Sequence, residues 1–240
     1  HRAIVISCDV YFYTLGKLLG IDKIAFFAKR LGLGARTGID LPNESSGLIP
    51  SPEWAQKVLK RKWYAGETIS VAIGQGAVAV TPLQIAYAIG GIVSGGVFRR
   101  PHLAVRDQLL ALGMKPPDEE DRRCPLAGAT VETVSQGMWS VVNECGTGTT
   151  AQSPGLDISG KTGTAQVVSA SLKDSGGKKA EFRNNAWFVG YAPSHEPEIV
   201  VSALVLQGEH SAVAAPVVRD VIKAYYDKKA SRMPHPRVEQ

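Results

Sequence analysis

Apolar positions in the first two-thirds of this sequence recur at the three- and four-residue spacing of helices. In the last third they run together as they do in strands. Residues 9–19 and 22–31 read as two short helices. Asp22 is placed to cap the second, whose Ile24, Phe27, Ala28 and Leu31 fall on one face. Gly32-Leu33-Gly34 closes it, and residues 37–50, rich in Gly, Pro, Asn and Ser, form a loop. Ser51-Pro52 supplies an N-cap and a first-turn proline for a helix running to about Lys62. Thr81-Pro82 repeats that signal for a helix ended by Gly95-Gly96. Residues 97–105 read as an extended hairpin arm and residues 115–123 as a charged linker. Residues 130–144 are a strongly amphipathic helix with Val131, Val134, Met138, Val141 and Val142 inward.

The period then changes. Residues 158–168, 186–191 and 199–207 are rich in β-branched and aromatic residues and read as strands. Residues 169–183 are polar and Gly/Lys-rich, the pattern of a mobile hairpin loop, and residues 211–228 form a closing helix. Consecutive strands with short connections pair antiparallel, so the expected class is α+β: an antiparallel sheet packed against helices, with a helical subdomain. Residues 1–146 form the mainly helical part, residues 155–228 the three-stranded antiparallel part with its terminal helix, and residues 229–240 a disordered tail.

The 240 residues are 44% hydrophobic, enough for one sizeable core. No run approaches the roughly 20 apolar residues of a membrane-spanning helix. The sequence opens on the apolar Ala3-Ile4-Val5-Ile6 without a Met, as a segment of a longer protein is expected to. The net charge of +5 resolves into a solvated helix face (Lys57, Lys60, Arg61, Lys62) and a basic C-terminus (Lys223, Lys228, Lys229, Arg232, Arg237). No aromatics interleave with these charges, which sets nucleic acid aside as a partner. Cys8, Cys124 and Cys145 include no CxxC pair, so they make neither a disulfide framework nor a zinc ribbon. The histidines show no metal-ligand spacing, and His195 and His210 sit in turns as exposed side chains.

Several short motifs could carry chemistry. Residues 155–162, GLDISGKT, fit the phosphate-cradling P-loop pattern, but that loop needs a strand before it and a helix after it. Here the residues after Lys161, Gly163-Thr164-Ala165-Gln166-Val167-Val168, read as strand. Gly146-Thr147-Gly148-Thr149-Thr150-Ala151 resembles a dinucleotide turn yet follows a helix, so it reads as a helix C-cap and loop. Lys161-Thr162-Gly163-Thr164 at an exposed strand edge would project a fixed positive charge. It would let an extended peptide lie close at the glycine and offer the Thr164 N–H to developing negative charge. Alone, the same residues make a polar strand edge, and Ser7-Cys8-Asp9 alone makes a helix N-cap.

Taken together these pieces resemble the penicillin-binding proteins and serine β-lactamases, which use SxxK, SxN and KTG motifs. Lys161-Thr162-Gly163-Thr164 matches the third motif. Ser7-Cys8-Asp9 matches the second, with Asp for Asn, as in the elongation-specific class B branch called penicillin-binding protein 2. Five further stretches resemble that branch: residues 37–42 (TGIDLP), 63–68 (WYAGET), 73–76 (IGQG), 81–84 (TPLQ) and 186–193 (AWFVGYAP). No Ser-x-x-Lys precedes Ser7, so the nucleophile and its lysine are expected outside this sequence, and the fragment alone is expected to be inactive.

The resemblance implies a peptidoglycan D,D-transpeptidase that cross-links stem peptides and binds β-lactams. It places Ser7, Asp9 and Lys161 in catalysis, Lys161, Thr162, Gly163 and Thr164 against substrate, and the Thr164 N–H in the oxyanion hole. It requires no cofactor, and it admits a zinc near Cys8 whose other ligands would lie outside the chain. It implies a membrane glycan polymerase as partner and work at the periplasmic face of the bacterial inner membrane. Three alternatives stay open: a β-lactamase or β-lactam sensor of the same fold, a P-loop nucleotide-binding protein, and a fragment that only scaffolds a partner.

Overall fold

The computed structural model describes residues 1–116, 121–166 and 183–232. Its first helix, α1 (Arg2–Val5), leads through Ser7 into α2 (Asp9–Arg30). The two short helices expected there are present within this span, separated by a break at Gly20, whose φ of 75° and ψ of 162° no helix contains. Asp22 therefore lies inside the first turn after the break rather than at its cap. Ser51 caps α3 (Pro52–Trp54) by accepting the Trp54 N–H at 3.2 Å. A wider π turn over Ala55–Leu59 extends it to Lys60, where φ is 56°. Lys60, Arg61 and Lys62 thus lie beyond the helix and not along its face, and Arg61 pairs with Glu67 at 2.8 Å.

Two short helices were not foreseen from the pattern, α4 (Ala65–Val71) and, further on, α6 (Arg106–Ala111). Between them, α5 (Pro82–Val93) starts with a capping box, Gln84 N–H to Thr81 Oγ1 at 3.1 Å and Thr81 N–H to Gln84 Oε1 at 3.0 Å. The same buried Gln84 donates to the carbonyls of Ala35 and Ser46 at 2.7 and 2.8 Å, which pins the loop over residues 37–50. The extended arm is β1 (Val97–Phe98). It pairs antiparallel with β2 (Arg122–Arg123), which falls at the end of the expected linker.

Helix α7 (Gly128–Asn143) then delivers the chain to a three-stranded sheet in the order β3 (Ser159–Ala165), β4 (Asn185–Ala192), β5 (Ile199–Val205), antiparallel throughout. The closing helix α8 (Ala215–Arg232) runs through residues 229–232, which the sequence reading assigned to a disordered tail. Lys229 there pairs with Glu198. Residues 233–240 of that tail, residues 167–168 of the first expected strand and residues 169–182 of the expected hairpin loop lie outside the described residues.

Alternation along β4 sorts the core. Ala186, Phe188 and Ala192 join Val218 and Ile222 of α8, and Val189 and Tyr191 face Ile85 and Ile89 of α5. Helix α7 contributes to both sides, Val141 and Val142 to the first and Met138 to the second. Each fully buried aliphatic or aromatic side chain here stabilises by about 1.5–3 kcal/mol.

Candidate active site

Strand β3 has β4 on one side only, so its other edge is open among the described residues. Its entry is held by side chains. The Asp157 carboxylate accepts from Trp139 Nε1 at 2.9 Å and from the Ser194 N–H at 3.0 Å, while Asn143 Nδ2 donates to the Ile158 carbonyl at 2.8 Å. The strand continues through Lys161 and Thr162 without a helix behind it, so residues 155–162 do not form a phosphate loop.

Lys161 Nζ donates to Ser7 Oγ, to the Thr162 carbonyl at 3.1 Å and to Thr162 Oγ1 at 3.2 Å. The two motif residues are 154 positions apart in sequence and meet in one cleft. Ser7 sits between α1 and α2 with φ 50°, the left-handed region that non-glycine residues seldom enter. Its side chain is not a cap: Cys8 occupies the N-cap position of α2 and makes no side-chain cap bond. Two contacts hold Ser7 here. Ile4 of α1 packs where a side chain on Gly137 of α7 would stand, and Thr147 donates its N–H to the Val5 carbonyl at 3.3 Å.

Thr147 was missed by the sequence reading, which took Gly146-Thr147-Gly148 for a cap and loop. Its Oγ1 lies 2.7 Å from Thr162 Oγ1 and 3.4 Å from Ser7 Oγ, so it closes a ring of hydroxyls around the lysine. The signal was a hydroxyl between two glycines just before the lysine strand. Both glycines are needed for close approach: a Cβ on Gly146 would come within 2.4 Å of the Val141 carbonyl oxygen, and one on Gly148 within 2.9 Å of the Val141 side chain.

The cleft has a volume of about 480 Å³. One wall is Asp9 and Phe12 of α2 with Ala72, Ile73 and Gln75 after α4, and the other is residues 161–164 of β3. Burial lowers the Lys161 ammonium from 10.5 to about 8, against Asp9, whose charge favours the protonated form. The site therefore holds a lysine that can exchange a proton near neutral pH. Gln75 accepts the Gln166 N–H at 3.1 Å and donates to the Thr164 carbonyl at 2.6 Å, so Thr164 and Gln166 face the open edge. A strand residue directs its N–H and C=O to the same side, so the Thr164 N–H faces the cleft as well. Gln75 falls within the family-like stretch 73–76, where the sequence alone marks no role for it. Cys8 is half-buried, and among the described residues no three His, Cys, Asp or Glu side chains cluster to hold a metal. The described residues do not by themselves make a zinc site.

The sequence model for the penicillin binding protein transpeptidase domain matches residues 1–223. Peptidoglycan D,D-transpeptidase MrdA of Acinetobacter baumannii is 38% identical over 229 residues, covering 92% of this chain and 33% of that protein. The chain thus spans about a third of the length of such curated relatives. Among solved structures, Pseudomonas aeruginosa PBP2 in complex with WCK 5153 superposes with a TM-score of 0.80 at 36% identity, covering 99% of this chain and 51% of that one. Helicobacter pylori PBP2 in complex with MreC gives 0.77 at 32% identity, covering 94% and 39%. With a motif serine and a motif lysine from distant positions meeting in a single cleft, and this likeness running nearly end to end, the chain belongs to the penicillin-binding protein transpeptidase domain family.

Proposed function

We propose that this chain supplies the SxN- and KTG-type half of the active site of a peptidoglycan D,D-transpeptidase acting in cell-wall elongation. In this reading the attacking serine and its lysine come from residues outside this sequence. The observation that carries it is the meeting of Lys161 Nζ, Ser7 Oγ and the hydroxyls of Thr147 and Thr162 beside an open strand edge.

The reaction is acyl transfer in two halves. The serine hydroxyl attacks the carbonyl of the penultimate D-Ala of a stem peptide, the C–N bond breaks, and the terminal D-Ala leaves with a proton on its amine. The amine of a second stem then attacks the ester and releases the serine. Lys161 as ammonium holds the terminal carboxylate, with Thr162 and Thr164 adding hydroxyl contacts. Ser7, bonded to Lys161, relays the proton to the leaving amine. The Thr164 N–H, with that of the attacking serine, meets the oxyanion. The charge of Asp9 acts on Lys161 and favours its ammonium form. A β-lactam presents the same carbonyl and carboxylate, and acylates the same serine.

A PBP2 solved with MreC and a solved peptidoglycan synthase complex that coordinates polymerization and crosslinking support partners from the cell-wall machinery. In this reading one partner is a membrane glycan polymerase, and the work is done at the periplasmic face of the inner membrane. Among the described residues no helix is long and apolar enough to cross a membrane.

Labelled penicillin added to the full-length protein tests the reading. A stable adduct on a serine, with acylation slowed on the order of 100-fold by Lys161→Ala, is expected from loss of one electrostatic contact to the reacting group. No adduct, or a Lys161→Ala variant that acylates normally, would refute it. Rapid deacylation would instead make the protein a β-lactamase.

A further inference from the structure

Gln75 lies between Gly74 and Gly76, both with φ 73°, in the loop after α4, and its N–H is tied to the Ser70 carbonyl at 2.9 Å. These two left-handed glycines push the Gln75 side chain across the cleft mouth. There its carboxamide meets β3 as the peptide unit of a neighbouring strand would: Nε2 donates to the Thr164 carbonyl at 2.6 Å and Oε1 accepts the Gln166 N–H at 3.1 Å. The main cleft and a second hollow of about 350 Å³ both border Asp9, Ile73, Gln75 and Thr164, so Gln75 stands at the wall between them.

We propose that Gln75 is a positioning residue: its carboxamide clamps the open edge of β3 and fixes the direction of the Thr164 N–H toward the carbonyl under attack. The inference rests on the transpeptidase reading above. The clamp grips the carbonyl of the residue whose N–H is to meet the oxyanion. The planes on both sides of Thr164 are therefore set, one by β4 pairing and one by Gln75. The Thr164 carbonyl keeps a second lone pair for a substrate amide. Misplacing a donor by about 1 Å can cost on the order of 100-fold in rate, whereas binding of the substrate's carboxylate depends on Lys161 and is left in place. Removing the clamp should therefore lower the acylation rate far more than the affinity.

Two variants of the full-length protein, followed by penicillin acylation kinetics, test this. Gln75→Ala is expected to acylate about 10- to 100-fold more slowly, with the ligand dissociation constant within about threefold of the unmodified protein. Gln75→Glu adds a signature that simple loss of support lacks. The carboxylate can accept the Gln166 N–H but cannot donate to the Thr164 carbonyl, whereas the neutral acid does both. A free Glu titrates near 4.3. The charged groups that face it are Asp9 of α2, which raises that value, and Lys161 of β3, which lowers it; the uncharged Tyr13 of α2 and Asn184 also line the hollow. The ratio of variant to unmodified acylation rate is thus expected to climb at least about twofold between pH 8 and pH 5. A ratio flat with pH, or Gln75→Ala acylating within twofold of the unmodified protein, would overturn the proposal. Should Gln75→Ala not fold, the Gln75→Glu ratio decides alone. The unmodified protein's own adduct tests the underlying reading separately.

Discussion

At the scale of single residues, Lys161 sets function against stability. Its pKa in the folded chain is about 8, below the 10.5 of a free lysine. Below pH 8 both folded and unfolded chains hold the proton, and the folded state bears the whole cost of burying it. Between pH 8 and 10.5 the folded chain releases the proton first, so stability rises with pH across that window. A shift of this size corresponds to on the order of 3 kcal/mol. Lys161→Met is therefore expected to raise the urea midpoint at pH 7, with the gain shrinking toward pH 10, while penicillin acylation slows on the order of 100-fold. A variant less stable than the unmodified protein at pH 7 would show that hydrogen bonding to Ser7 and Thr162 outweighs burial. Lys161, Thr162 and Ser7 were legible because residue type and motif spacing mark them. Thr147 and Gln75 were not, because their roles depend on partners 15 and 89 positions away; locally Thr147 reads as part of a cap and loop, and nothing beside Gln75 marks a role for it.

At the scale of elements, the cleft width is fixed where α2 meets α4. Gly16 lies inside α2, where its helix propensity is poor. The reason is across the interface: a Cβ at Gly16 would stand 2.4 Å from the Cβ of Ala72. Backbone-close packing there holds Asp9 and Phe12 beside Ile73 and Gln75. Gly16→Leu is expected to cost about 1–3 kcal/mol by overpacking and to slow acylation at a temperature where the variant is fully folded. Urea unfolding and penicillin kinetics measure the two effects, and unchanged acylation would show that the cleft tolerates this shift. The caps of α3 and α5 were readable because Ser51-Pro52 and Thr81-Pro82 satisfy orphan N–H groups by their own chemistry. The break at Gly20 was readable because the apolar pattern restarts after it. Helices α4 and α6 span seven and six residues, too few for a period to repeat, and β2 is two arginines that only its pairing with β1 makes a strand.

At the scale of the whole molecule, the α+β class and the strand order followed from the sequence, since strands that succeed one another in the chain are also neighbours in the sheet. What the pattern did not show is how the molecule uses its two sheet edges. The open edge of β3 forms the cleft. The open edge of β5 carries seven half-buried residues, mostly Ile, Val, Ala and Leu, and among the described residues no strand covers it. On the helical side α2 exposes Val10 at 72% and Leu18 at 76%, with Tyr11, Phe26 and Phe27 also open. Apolar exposure of this extent, together with an unprotected strand edge, is a surface that seeks cover. The 240-residue chain expressed by itself is therefore expected to self-associate, bind a hydrophobic dye and form no covalent adduct with labelled penicillin. Light scattering, dye fluorescence and intact mass measure the three outcomes. A soluble monomer that nevertheless gains the mass of one penicillin would place the nucleophile within these residues, with Ser7 the first candidate, and would reverse the division of labour argued for the cleft.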